Sequence, residues 1–160
     1  MSESLESKIW RWAGNLFPAY RRCGAKIVYV SHNFQSVKVK LPCNWRTKNH
    51  MGITWGGSLY AALDPIYAVM LYKIFKMKYQ VIDRKADIHF MKPGKHTLYA
   101  HFHISQADID HIKMRLNHGQ NIRLDYSVKL TDKLGVVHAV CNKQIQINVK
   151  PKAIAHSNAS

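Results

Sequence analysis

Residues 55–75 of the chain read WGGSLYAALDPIYAVMLYKIF and form its most apolar segment. After the Gly56-Gly57 pair the run is apolar nearly all round, which predicts a helix of about five turns that ends near Phe75 or Lys78. A helix without a polar face must be covered on most sides by the rest of the chain. The sequence therefore predicts a fold built around one central, buried helix.

A sheet is predicted from the segments that flank this helix. Val37, Val39 and Leu41 alternate with polar residues, which is the period of a strand with one face in water. Similar runs predict strands over residues 25–32, 35–41, 81–92, 96–105, 121–132 and 136–149, with a short amphipathic helix over 106–118. We therefore expect the α+β class, with a strongly curved, mostly antiparallel sheet wrapped around the central helix.

The N-terminal segment carries a helical pattern of its own. Its apolar residues recur at helical spacing over residues 4–21, and they are Leu5, Ile9, Trp12 and Leu16. The favoured interpretation is a helix packed on the body of the domain, and the alternative is a helix that contacts a partner or a membrane. We expect this helical segment over residues 1–22, one domain over 23–150 and a flexible tail over 151–160.

The charge balance restricts the class of partner. The 160 residues contain 24 Lys and Arg against 9 Asp and Glu, a net charge of +15 that favours anionic partners. Because the basic residues are scattered and no nucleic-acid-binding motif is present, we expect no nucleic acid partner. The longest apolar stretch, residues 58–72, is short for a membrane span and contains Asp64, so stable membrane insertion is not expected.

Cysteines and histidines give two further expectations. Cys23, Cys43 and Cys141 form no CxxC motif, and the N-terminus lacks the pattern of a signal peptide, so we expect a cytoplasmic protein. Of the ten histidines, His101 and His103 share one strand face, but no acidic residue stands at a matching spacing. We therefore expect no metal site.

Asp64 is the most informative single residue. It lies in the most apolar helix of the chain, where an unpaired carboxylate would be expensive, so it must be paired, protonated or used. Pro65 removes one backbone amide from the helix and so predicts a distorted turn at this point. Asp64 therefore either caps a kinked helix or serves as a catalytic or ligand-orienting carboxylate.

The start of the helix offers a second chemical feature. Free backbone amides at a helix N-terminus carry partial positive charge and can bind a carbonyl oxygen or an oxyanion. Gly57 precedes Asp64 by seven positions, about two helical turns, so both residues lie on roughly the same face. This spacing is what an amide that polarises a carbonyl group and a nearby carboxylate would need. A Gly-Gly pair before a helix is, however, more often only part of a tight turn.

These residues form part of a longer pattern. Residues 49–57 read NHMGITWGG, and Asp64 follows Gly57 after six further residues. This segment resembles the N-x-x-G-x-x-H-G-G-x6-D/E segment of hotdog-fold acyl-CoA thioesterases. The flanking segments NLFPAYRRCGAKI (15–27) and IHFMKPGKHTLYAHF (88–102) resemble one branch of that superfamily, a domain of unknown function to which thioesterase activity is attributed. The resemblance covers about residues 10 to 150.

The resemblance implies a hotdog fold, a homodimer or a dimer of dimers, and an active site at the dimer interface. It implies that the Gly57 amide binds the thioester carbonyl, that Asp64 is the nucleophile or general base, and that Asn49 orients substrate or water. Substrate contacts are expected from Gly52, Trp55, Gly56 and Ser58. The coenzyme A phosphates are expected at Arg84, Lys85 and Lys92, and the alternative is that these residues form a solvated basic face. Coenzyme A enters as part of the substrate, and no further cofactor is expected.

The sequence departs from the family pattern at two positions. Trp55 replaces the histidine that commonly precedes the Gly-Gly pair, and Ala68 replaces a hydroxyl residue that some relatives place one turn after the carboxylate.

Two functions remain open. The first hypothesis is a hydrolase of fatty or aryl acyl-CoA thioesters. The alternative is a non-catalytic protein that binds acyl-CoA or acyl carrier protein. A dehydratase is disfavoured because no histidine follows Asp64 at a suitable spacing.

Overall fold

The structure, a computed structural model, describes residues 2–149. The helices in these residues are α1 (Leu5–Leu16), α2 (Pro18–Arg22), α3 (Gly56–Leu63), α4 (Ile66–Ile74) and α5 (Gln106–Asn117). The strands are β1 (Lys26–Val30), β2 (Ser36–Leu41), β3 (Gln80–Phe90), β4 (Leu98–His103), β5 (Ile122–Thr131) and β6 (Val137–Asn148). The predicted strands and the predicted helix over 106–118 are confirmed. The tail predicted for residues 151–160 lies outside the described residues.

All six strands form one antiparallel sheet in the order β1-β2-β4-β5-β6-β3. β6 lies between β5 and β3 and pairs with both along most of its length. β1 and β3 are the edge strands, so the outer side of β3 has no neighbouring strand among residues 2–149. The predicted α+β fold, a curved antiparallel sheet around a central helix, is confirmed.

The central helix is also confirmed, but it is broken at the point where a distortion was expected. α3 ends at Leu63 and α4 begins at Ile66, with Asp64 and Pro65 between them. Because Pro65 has no amide hydrogen, the helical hydrogen-bond series stops there and resumes where the Val69 amide donates to the Pro65 carbonyl at 3.0 Å. The break frees backbone carbonyls, and the buried Tyr20 hydroxyl donates to the carbonyl of Ala62 at 3.1 Å.

α1 packs on the domain with its apolar stripe turned away from the core. Ser7 is buried, and the Asn15 side chain both donates to the Ile27 carbonyl and accepts from the Ile27 amide, each at 2.8 Å. The apolar residues at helical spacing are exposed, and they are Leu5, Ile9, Trp12 and Leu16. Trp10 packs against the core and, together with the paired hydrogen bonds to the edge strand β1, holds the helix in this orientation.

We predict that Asn15→Ala lowers the free energy of unfolding by about 1–3 kcal/mol, because it leaves the Ile27 amide and carbonyl without their partners. Urea denaturation measures the change. Lys8→Ala, at an exposed position on the same helix, is the control and should alter stability by no more than about 0.5 kcal/mol. Equal losses in the two variants would show that the hydrogen bonds do not hold α1.

Candidate active site at the break in the central helix

Asp64 occupies the break between α3 and α4, and its carboxylate is held by two donors. The Tyr60 hydroxyl donates to Oδ1 at 2.6 Å from one turn earlier in α3. The Lys143 ammonium donates to the same oxygen at 2.9 Å and also to the main-chain carbonyl of Asp64. Within residues 2–149 the second carboxylate oxygen, Oδ2, accepts no hydrogen bond, and the side chain is 42% exposed. One oxygen is therefore anchored while the other is available.

Lys143 is the site residue that the sequence interpretation missed. It lies on the inward face of β6, and its side chain is completely buried. Besides Asp64 it contacts Asp83 of β3, with 3.0 Å between Nζ and Oδ2. The signal was present in the alternation of β6, whose other inward residues are the apolar Ala139, Cys141, Ile145 and Ile147. A lysine among inward-facing apolar residues needs an anion beside it to pair its charge. Asp64, the acidic residue of the apolar central helix, could have been proposed as that anion.

Three influences set the protonation state of Asp64. Burial by itself would raise the pKa of the carboxyl group, but the hydrogen bond from Tyr60 and the adjacent Lys143 ammonium outweigh it and hold the pKa below its ordinary value. The same hydrogen bond, with burial, raises the pKa of Tyr60, so the phenol stays a neutral donor. Asp64 is therefore an ionised carboxylate at neutral pH.

Aromatic rings lie against both glycines at the start of α3. A Cβ atom placed on Gly57 would lie 2.5 Å from the Trp55 indole, and one on Gly56 would lie 3.2 Å from the Phe90 ring. A side chain at either position would have to displace one of these largely exposed rings, so the close contacts favour glycine independently of any ligand. The Trp55 ring is largely exposed and covers Gly57 on this side. The first amides of α3 have no partner within the helix, as at any helix N-terminus.

The structure brings Asn49, Gly56 and Lys92 together along one cleft of about 350 Å³. Asn49 has a local structural task there, because its Oδ1 accepts hydrogen bonds from the amides of Met51 and Ile53 at 3.0 and 3.3 Å. It thereby folds the loop that precedes α3. Asp64 does not line this cleft, so the helix entrance and the carboxylate open to different surroundings in the single chain.

The remaining predicted substrate contacts are dispersed. Gly52 lies in the loop folded by Asn49 with a φ of +73°, and Ser58 is buried in the first turn of α3. Arg84 occupies a bulge in β3 between Asp83 and Lys85.

Lys85 lies apart from Lys92, in a separate cleft that is also lined by Asp125 and Gln144. The three basic residues proposed for the phosphates therefore do not form a compact cluster. Among residues 2–149, no group of three or more His, Cys, Asp and Glu side chains is placed to hold a metal ion.

The chain belongs to the family described as "Domain of unknown function (DUF4442)", whose model matches residues 7–149. No curated protein matches the sequence. A similar solved structure is a protein of unknown function from Pseudomonas aeruginosa, described as a "Probable Thioesterase". Its sequence identity is 17% and its TM-score 0.81, and the match covers 92% of this chain and 99% of that chain.

Two further structures are similar. A thioesterase from Haemophilus influenzae has 11% identity and a TM-score of 0.66, with 96% of each chain covered. The mouse thioesterase superfamily member 2 has 17% identity and a TM-score of 0.63, with 89% of this chain and 98% of that chain covered. At these identities the likeness concerns the fold, and it confirms the predicted hotdog fold.

We predict that Lys143→Met lowers the free energy of unfolding at neutral pH by about 2–4 kcal/mol. The substitution leaves the carboxylates of Asp64 and Asp83 facing each other without a cation. Because both carboxylates are partly exposed, the loss of stability should be smaller than for a fully buried ion pair that loses one partner. Asp64→Asn and Asp83→Asn should each cost less, because the lysine keeps one carboxylate in either variant. Urea denaturation compares all three with Lys129→Met, which removes an exposed lysine from β5. A loss in Lys143→Met no larger than in Lys129→Met would contradict the role given to Lys143.

Proposed function

We propose that the protein hydrolyses acyl-CoA thioesters and that Asp64 is its catalytic carboxylate. The observation that supports this most strongly is the state of Asp64, which is ionised, half-exposed and anchored through one oxygen by Tyr60 and Lys143. A carboxylate that is fixed through one oxygen and open to the surroundings at the other is suited to general-base or nucleophilic catalysis.

In the general-base form of the reaction, Oδ2 of Asp64 takes a proton from a water molecule as the water oxygen attacks the acyl carbon. The carbonyl oxygen becomes an oxyanion, which the Gly57 amide stabilises, and Asn49 orients the water or the substrate. When the oxyanion collapses, the carbon–sulfur bond breaks and coenzyme A leaves as its thiolate, which takes up the proton. The products are a carboxylic acid and the free thiol, and no additional cofactor takes part.

An apolar groove next to the break is suited to the acyl group. The groove has a volume of about 360 Å³ and runs between α1 and α4. Trp10, Gly14 and Ile27 line one part of it, and Pro65 and Val69 line the part adjoining Asp64. This size and lining are typical of a small-molecule pocket and favour a fatty or aryl acyl chain. Arg84, Lys85 and Lys92, which are all exposed, are the proposed contacts for the phosphates of coenzyme A.

The edge strand β3 supports a homo-oligomer as the working form. β3 is 11 residues long, and a long unpaired edge is a template for pairing with another strand. The exposed Phe90 and Met91 lie at its end, beside the exposed Trp55. Pairing of β3 with the same strand of a second copy would cover this surface and place the helix entrance of one subunit near the partner subunit. We therefore propose a dimer, or a pair of dimers.

The second candidate function is binding of the same ligand without hydrolysis. Trp55 lies against Gly57, and Ala68 offers no hydroxyl to hold a water near Asp64. These two features favour a protein that binds acyl-CoA or acyl carrier protein without hydrolysing the thioester.

The test is release of free thiol from acyl-CoA esters that range from short through long fatty chains to an aryl group. Asp64→Asn should lower kcat by at least about 100-fold, the usual contribution of a general base. Asp83→Asn is the matched control, because it removes the same charge from the same lysine and leaves Asp64 in place, so kcat should stay within about five-fold of the wild type.

Two results would contradict the hydrolase. One is the absence of thiol release by the wild-type protein above the enzyme-free background, and the other is equal activity in Asp64→Asn. Calorimetric binding of an acyl-CoA by a wild-type protein that releases no thiol would establish the second candidate function instead.

A further inference from the structure

We propose that the N-terminal helices dock the protein on an anionic membrane surface. The proposed docking surface consists of an outward apolar face on α1 and an adjoining basic cleft. The apolar face is defined by Leu5, Ile9, Trp12, Leu16 and Phe17. The basic cleft is defined by Arg21, Lys26, Lys40 and Arg46. This inference does not depend on whether the protein hydrolyses acyl-CoA.

The large apolar side chains of this face are mostly exposed. Leu5 is 76% exposed, Trp12 68% and Phe17 63%. Because the first four of its residues recur at intervals of three and four, they form one stripe along α1. The helix is not loosely attached, since Ser7 is buried on the side away from the stripe and Asn15 is hydrogen-bonded to Ile27. The stripe is thus presented to the surroundings by a fixed helix.

The basic cleft lies beside the C-terminal end of this stripe. It has a volume of about 570 Å³, and the four cationic side chains line it together with Asn15 and Asn44 but without any Asp or Glu. Within residues 2–149 none of the four cations takes part in an ion pair. Asn15 connects the two parts, because it lines the cleft and immediately precedes Leu16 of the apolar face.

The acidic residues near α1 do not oppose an anionic surface. Glu3 is paired with Arg11 at 2.9 Å, and Glu6 is paired with Lys73 at 3.1 Å. Both carboxylates are thus neutralised within the protein. Lys8 and Arg22, which lie outside the basic cleft, are exposed on the same two helices and add positive charge around the apolar face.

These features favour a lipid surface over a second copy of the chain. A helix with Trp, Phe, Leu and Ile on one face and cations beside it is typical of helices that lie in the membrane interface. Each cation near an anionic leaflet contributes roughly 1 kcal/mol, whereas a second copy would bring another basic cleft and another net charge of +15. No helix within residues 2–149 is long and apolar enough to cross a membrane.

Co-sedimentation with vesicles tests the proposal on the full chain. We expect binding to phosphatidylcholine vesicles that contain phosphatidylserine, little binding to phosphatidylcholine alone, and weaker binding as the salt concentration rises. Ile9→Ser/Trp12→Ser should reduce the partition coefficient at least about ten-fold, because both apolar side chains leave the lipid. Arg21→Gln/Lys40→Gln should reduce it by a similar factor.

Matched controls separate the docking surface from general exposure and charge. Leu134→Ser replaces an exposed apolar residue in the β5–β6 turn, and Lys129→Gln/Lys133→Gln removes two exposed cations from the same region. Both control variants should bind the vesicles like the wild type. Circular dichroism confirms that each variant is folded.

Three outcomes would overturn the proposal. The first is that the wild type does not bind the serine-containing vesicles, and the second is that the α1 variant and the Leu134 control bind equally well. The third is that Ile9→Ser/Trp12→Ser lowers the molar mass measured by light scattering. That result would show that a second copy of the chain covers the apolar face.

Discussion

The contacts of the buried Lys143 ammonium hold the site together. It joins the broken central helix to the sheet, because its three acceptors belong to the Asp64 side chain, the Asp64 main chain and Asp83 of β3. A fully buried lysine is stable only when its charge is paired. Two carboxylates and one ammonium leave an excess of one negative charge, which falls on the partly exposed carboxylates rather than in the core.

The break in the helix and this ion pair lie at the same point of the structure. Pro65 interrupts the hydrogen bonds of the helix, and the side chains of Tyr20 and Lys143 bond to carbonyls near the interruption. The interruption also turns Asp64 toward β6, where Tyr60 and Lys143 fix one of its oxygens. A backbone irregularity that would cost stability elsewhere thus positions the carboxylate on which the proposed hydrolysis rests.

Local periodicity predicted the fold well, and it predicted the site only in part. The strands followed from alternation and the central helix from a continuous apolar run, because those patterns reflect burial on the scale of one element. Lys143 escaped this reasoning because its partners lie 79 and 60 positions away in the sequence. The exposure of the apolar stripe on α1 does not follow from its spacing, because the helix is attached through other side chains, among them Asn15 with its hydrogen bonds to Ile27. The contact of Trp55 with Gly57 depends on a side-chain orientation that no spacing encodes.

Whether Tyr60 and Lys143 hold Asp64 as an ionised carboxylate is tested by titrating its carboxyl group with carbon-13 NMR in the wild type and in Tyr60→Phe. The wild-type midpoint should lie below the ordinary value of about 3.9, and loss of the Tyr60 hydrogen bond should move it upward. Since the folded-state pKa is lowered, the stability that ionised Asp64 contributes is present above the unfolded-state pKa and is lost as the pH falls through the folded-state value. A wild-type midpoint at or above the ordinary value would show that Tyr60 and Lys143 do not hold Asp64 as an ionised carboxylate.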